Sequence, residues 1–283
     1  MMPFVVWGVA ICAVLAYWAA AAAAKSWSLA RTAGWTVGWL ALAAVWGNSA
    51  SADSPAQGHG AQHGHGAANE SFDFAGHMVS HVVAGMAVPL LLVLAAPVTL
   101  ALRVLPLREA RRVSRVLRSR PCEVLTHPLV AATLNVGGLW LLYRTWLFDY
   151  MHGGTWVMWL IEFHIVAAGY LYTYSLVGVD PSPHRTSFGL RAAVLVVSIA
   201  AHNILAKTLY ADPPPGVSAE QAEMGSQIMY YGGLPFELAL VVLLCHRWAA
   251  RARRRPVLVA GPRCPRRTFS ARPDSERLLV RRV

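Results

Sequence analysis

Charge is what this sequence has least of. Only 14% of its 283 residues are Asp, Glu, Lys or Arg, whereas 56% are hydrophobic. A soluble domain carries about a quarter charged residues, so that class is excluded. Acidic residues are the scarcer sign, 14 against 25 basic ones. Cysteine is also rare. Cys12, Cys122, Cys245 and Cys264 stand alone, with no CxxC or CxxxC spacing. That excludes a paired-thiolate copper shuttle and offers no disulfide framework. There is no Walker loop, no GxSxG and no HExxH, so no enzyme signature is present and a non-catalytic role is expected.

What the chain has instead is long apolar runs. Several approach the ~20 residues that a helix needs to cross a bilayer core. The expected fold is an all-α membrane protein with seven transmembrane helices, near residues 3–24, 33–48, 78–102, 124–147, 155–178, 191–211 and 226–248. The second is the shortest, and Trp27, Trp35, Trp39 and Trp46 mark it as interface-anchored. No basic residue precedes the first span, so an uncleaved helix is expected there rather than a signal peptide.

Basic residues then orient the chain. If the loop carrying Arg103, Arg108, Arg111, Arg112, Arg115, Arg118 and Arg120 is cytoplasmic, alternation of spans puts all but Arg144 and Lys207 inside. The N-terminus is therefore expected outside and the C-terminus in the cytoplasm. The net charge of +11 is first a topology signal; nucleic-acid binding explains it poorly, because the basic residues are scattered over inner loops. Residues 1–48 hold two N-terminal helices, 49–72 an extracytoplasmic His/Gly-rich loop, 73–248 a five-helix core, and 249–283 a basic, Pro-containing tail without helical period. That tail suits disorder and contact with anionic membrane lipid.

Histidine and methionine gather on the outer side. His77 and His81 are four apart at the start of the third span and share one helix face. They are the leading candidates for a metal pair, with Met78, Met86, Met151 and His152 nearby on the expected topology. Imidazole plus thioether suits copper, above all Cu(I). His164 and His202 lie deeper, on consecutive spans. The loop GHGAQHGHG supplies His59, His63 and His65 as an auxiliary metal collector or a plain solvated linker. Each histidine or methionine alone is as readily a packing residue. Arg144, Glu162, Asn203, Lys207 and Glu237 form the expected intramembrane polar network, since ionisable groups at that depth need partners. Arg144 and Lys207 are expected to pair with Glu162, Asp149 or Glu237.

The order of short motifs resembles the CtaG-type bacterial cytochrome c oxidase assembly factors. It runs HMVSHVVAGMAVPLLLVLAAPVTLALR, HPLVAATLN, TWLFDYMH, EFHIVAAGYLYTYSLVGVDP, SIAAHNILAKTLY and MGSQIMYYGG, over roughly residues 73–248. The resemblance implies a seven-helix protein of the bacterial plasma membrane that helps mature a copper-containing oxidase. Its partners would be oxidase subunits or a copper chaperone. His77, His81, His152, His164 and His202 match the family's recurring histidines. Ahead of the last helix, Glu223-Met224-Gly225 stands where the family often has Asp-Gln before the glycine. The alternative from a different class is a haem-binding membrane oxidoreductase with His164 and His202 as axial ligands. A transporter fits less well, because no helix-breaking Gly/Pro pair or internal repeat stands out.

Overall fold

The computed structural model describes residues 2–52, 73–152 and 155–253. All regular structure among them is helical. Five helices are long and apolar enough to cross a membrane: Phe4–Ala23, Phe74–Val104, Trp156–Val177, Phe188–Ala211 and Ala219–Arg253. Two of the seven expected spans fall short of that standard. Helix α2 (Leu29–Ala52) is 24 residues long, but its Trp, Gly, Ser and Thr content dilutes the hydropathy. The 124–147 span is shortened because Pro128 starts the continuous helix anew after His127. From there it runs α8 (Pro128–Ala132), a π-helical turn (Thr133–Gly137) and α9 (Gly138–Arg144), ending where Thr145 turns extended. That is about 25 Å of helix, against a hydrocarbon core of about 30 Å.

The core packs α3 (Phe74–Val82) and α11 (Thr155–Val177) around α13 (Ala219–Arg253), with α12 (Phe188–Ala211) on α13's other flank. Helices α1 (Met2–Ala23) and α2 pack on each other, and α2 also lies on α4 (Val88–Ala95). In lipid, apolar surface gains little by leaving its solvent, so close packing and polar contacts hold such a bundle. Gly169 of α11 shows how close: a methyl there would collide with the Gly85 carbonyl and come within 2.9 Å of Pro89.

The third span bends twice for identifiable reasons. A π-helical turn at Val83–Ala87 joins α3 to α4. Then Pro97 forces Ala96 out of the α region, to φ 55°, and α5 (Pro97–Val104) begins a new helix. The bond from Thr99 N–H to Ala95 O is lost, and both groups find other partners. Tyr17 Oη donates to the Ala95 carbonyl at 2.7 Å. Asp180, only 2% exposed, accepts from the N–H groups of Val98 (3.2 Å) and Thr99 (2.7 Å) and from the Thr99 hydroxyl (2.6 Å). Asp180→Ala would strand those donors; we expect about 2–3 kcal/mol lost in unfolding measured in mixed detergent, and clearly less for Asp180→Asn.

Against the expectation that no helix-breaking Gly/Pro pair stands out, Gly232-Gly233-Leu234-Pro235 lies inside α13, which nevertheless continues through it to Arg253. Pro235 leaves the Tyr231 carbonyl without its helical donor.

Contacts sort the loops into two ends. At one, Arg31 and Arg103 both stack on Trp27, His184 meets Glu123 at 3.6 Å, and Arg185 and Arg247 cap the C-terminal carbonyls of α11 at Val177 and Gly178. At the other, Arg144 pairs with Asp212, and Gln221 accepts from Ala75 N–H at 3.1 Å.

Candidate metal centre

Asp73 caps α3 by accepting from Gly76 N–H at 2.8 Å. The helix then carries His77 and His81 one turn apart toward the centre of the bundle. Tyr143 of α9 lies against both rings, with centroids at 5.9 and 6.5 Å. Its hydroxyl is 2.9 Å from His77 Nε2. His81 is 4% exposed, and neither of its ring nitrogens has a hydrogen-bond partner. The histidine ring facing it is not His77 but His202 of α12, at 6.1 Å between centroids and tilted by 35°.

His202 is itself 5% exposed and held from behind. Its Nδ1 donates to Glu237 Oε1 at 2.9 Å. The other carboxylate oxygen accepts from Asn203 Nδ2 at 3.2 Å. Where the carboxylate accepts from Nδ1 of the neutral ring, the lone pair falls on Nε2, which is buried without a partner. Carboxylate support on one imidazole nitrogen with the other left open is how proteins orient a metal-binding histidine. Gly233 of α13 gauges the remaining space: a methyl there would lie 3.0 Å from His202 Cε1 and 3.3 Å from Met86 Sδ. Met86, part of the π-helical turn, and the His202 ring thus lie against the same side of Gly233.

The donor types at this place, imidazole and thioether, are ones that suit soft metal ions. Three buried imidazole nitrogens lack partners, and desolvating such groups for nothing is costly. The His81 and His202 centroids, 6.1 Å apart, are close enough for both rings to reach one ion at N–metal distances of about 2 Å. No group of three or more His, Cys, Asp or Glu among the described residues is placed to hold an ion. The residues here that could hold an ion are His81 and His202, with the Met86 thioether near His202.

The other expected ligands lie elsewhere. Met78 and Met151 are buried in the apolar cluster of Phe74, Leu142, Tyr143 and Met229. His164 is on an exposed face, 3.1 Å from the Leu134 carbonyl through Nε2; that carbonyl belongs to the π-helical turn of 133–137. The structure therefore gives His164 and His202 different partners. The side chain of His152, and all of His59, His63 and His65, lie outside the described residues.

The polar network is real in part and paired differently. Glu237 binds His202 and Asn203. Arg144 takes Asp212, at 2.6 Å, a residue absent from the expected pairings. Lys207 stands over the Tyr230 ring at 5.4 Å. Glu223 is exposed and accepts from Gln227 Nε2 at 3.3 Å. Tyr143 and Gly233 were missed altogether. Adjacency of Tyr143 to the intramembrane Arg144 was a signal for the first, and the Gly-Gly-Leu-Pro run a signal for the second.

Among curated proteins, the chain is similar to uncharacterized proteins of Mycobacterium bovis and Mycobacterium tuberculosis. Each is 31% identical over 185 residues, covering 63% of this chain and 26% of the relative. An uncharacterized protein of Mycobacterium leprae is 28% identical over 187 residues, covering 64% and 26%. The chain thus spans about a quarter of the length of these relatives. No solved structure matches. A match to the cytochrome c oxidase caa3 assembly factors (Caa3_CtaG) extends over residues 13–251, nearly all of the described helices, and on that match the chain belongs to the cytochrome c oxidase caa3 assembly factor family.

Proposed function

We propose that this chain acts in oxidase assembly by holding copper as cargo between His81 and His202, with Met86 as the soft third donor. From there it passes the ion to an oxidase subunit or a copper chaperone. The observation that carries the reading is the facing pair of buried, partner-free imidazole nitrogens with Glu237 bracing one of them. A thioether beside imidazoles selects Cu(I) over harder ions. His77 is one helical turn nearer the Arg144–Asp212 end and serves as the next donor along the route.

The reading includes a topology of seven spans in a bacterial plasma membrane, with α2 and the Pro128–Arg144 segment completing the five longer helices and the N-terminus outside. Its support is the charge asymmetry. Arg31, Arg103, Arg185 and Arg247 gather at one end of the bundle, which the positive-inside tendency makes cytoplasmic. His77 and His81 then fall in the outer half.

Metal analysis of the purified chain after exposure to Cu(I) under reducing conditions is the direct test. We expect stoichiometric copper. No retained copper overturns the cargo reading. An oxidase that matures with its full copper complement in cells lacking this chain overturns the role in copper delivery.

A further inference from the structure

A second polar feature also lies between α12 and α13, nearer the Arg144–Asp212 end than the His202–Glu237 pair and sharing no residue with it. A groove of about 280 Å³ runs between α12 and α13, lined by Lys207, Tyr210, Ser226, Gln227, Tyr230 and Tyr231. Three observations bear on what it takes. Lys207 is a cation within an apolar helix, and no ion pair joins it to any carboxylate among the described residues; its neighbour is the Tyr230 ring. Lys207 lies one turn before the end of α12 at Ala211 and is exposed, so its ammonium is a counter-charge open to a ligand at the rim of the groove. Ser226 is 4% exposed, and its Oγ is buried without a hydrogen-bond partner, so the wall of the groove holds a donor with nothing to donate to. The phenols can donate a hydrogen bond; the Gln227 amide gives one N–H to Glu223 at 3.3 Å and keeps a second, and no carboxylate is among the lining residues. Tyr210 and Tyr231 are 56% and 66% exposed, so the groove opens sideways off the bundle.

We propose that this groove binds a phosphate group, with Lys207 as its counter-charge and Ser226, Gln227 and Tyr230 as neutral donors, and that the phosphate is the headgroup of an anionic lipid. A sideways mouth flanked by exposed aromatics suits a lipid whose chains remain in the bilayer; free phosphate offers the same oxygens without that constraint.

The test uses the full chain in detergent, titrated separately with phosphatidylglycerol, phosphatidylcholine and inorganic phosphate, with bound lipid read by native mass spectrometry and stability by thermal unfolding. Phosphatidylglycerol should be retained and raise the melting temperature more than phosphatidylcholine does. Lys207→Gln should weaken retention about tenfold or more, and Lys207→Arg should keep it. A rise with inorganic phosphate alone moves the assignment from lipid to free anion and overturns the lipid source. Equal response to both lipids and none to phosphate overturns the site, and does so on the wild type even where Lys207→Gln fails to fold. Copper content should be unchanged in Lys207→Gln; this separates failure here from failure of the cargo reading.

Discussion

His202→Ala is expected to cost the purified chain its Cu(I), with affinity falling by more than about 100-fold in competition with a Cu(I) chelator. Losing an outer-shell partner of a metal ligand costs about 10–100-fold, and on the proposed function His202 is itself a ligand. His81→Ala should match it. His77→Ala should do less, because His77 Nε2 is already engaged by the Tyr143 hydroxyl at 2.9 Å and the ring facing His81 is that of His202. The ranking separates two chemistries that the i, i+4 spacing cannot. A pair of ligands within one helix would make His77 and His81 equal and His202 irrelevant. A pair across helices makes His81 and His202 equal and His77 secondary. Equal losses in His77→Ala and His81→Ala with copper intact in His202→Ala would overturn the cross-helix site. The visible spectrum of the same preparation bears on haem ligation, since a Soret band would require a haem.

The sequence carried the positions of the long helices well. Expected limits of 155–178 and 191–211 lie within a few residues of Thr155–Val177 and Phe188–Ala211, because long apolar runs bounded by Pro, Gly and charge leave few alternatives. It carried the internal bends poorly. Pro97 in LAAPVTL was visible, yet the residue that repairs the break, Asp180, is 81 positions from Thr99. A π-helical turn has no comparable residue signature, and Met86 and Leu134 owe their placement to two of them. The candidate site divides in the same way. His202 and Glu237 stand out as polar groups in an apolar run, a strong signal in a membrane helix, and His81 as half of an i, i+4 pair with His77. Which of them meet was not legible. The polar residues of α12 and α13 are not gathered on one side, so no amphipathic stripe marks an inner face, and partners 35 positions apart such as His202 and Glu237 are set by how the helices rotate against each other. The same limit explains Arg144: an acidic partner was anticipated, but Asp212 at the far end of α12 becomes its neighbour only in the assembled bundle.

Glu237 offers the largest effect on stability. Glu237→Leu leaves His202 and Asn203 facing apolar surface where each had an acceptor. Removing one partner of a buried, hydrogen-bonded charged group costs about 3–5 kcal/mol, and we expect a loss of that order for the purified chain in mixed-detergent unfolding. Most of this is the cost of stranding the remaining groups, so it should be recovered when they go too. The His202→Leu/Glu237→Leu double variant is expected to regain most of the loss, while Asn203 keeps its other acceptor, the Ile199 carbonyl at 2.9 Å. Polar pairs that survive in a membrane interior are thus poor explanations of stability and better explanations of function, because apolar side chains of similar volume hold the same helices together. The double variant should therefore be a well-folded chain that binds no Cu(I). A double variant as unstable as Glu237→Leu alone would mean that the pair is a structural tie between α12 and α13, and that the open Nε2 of His202 serves packing rather than cargo.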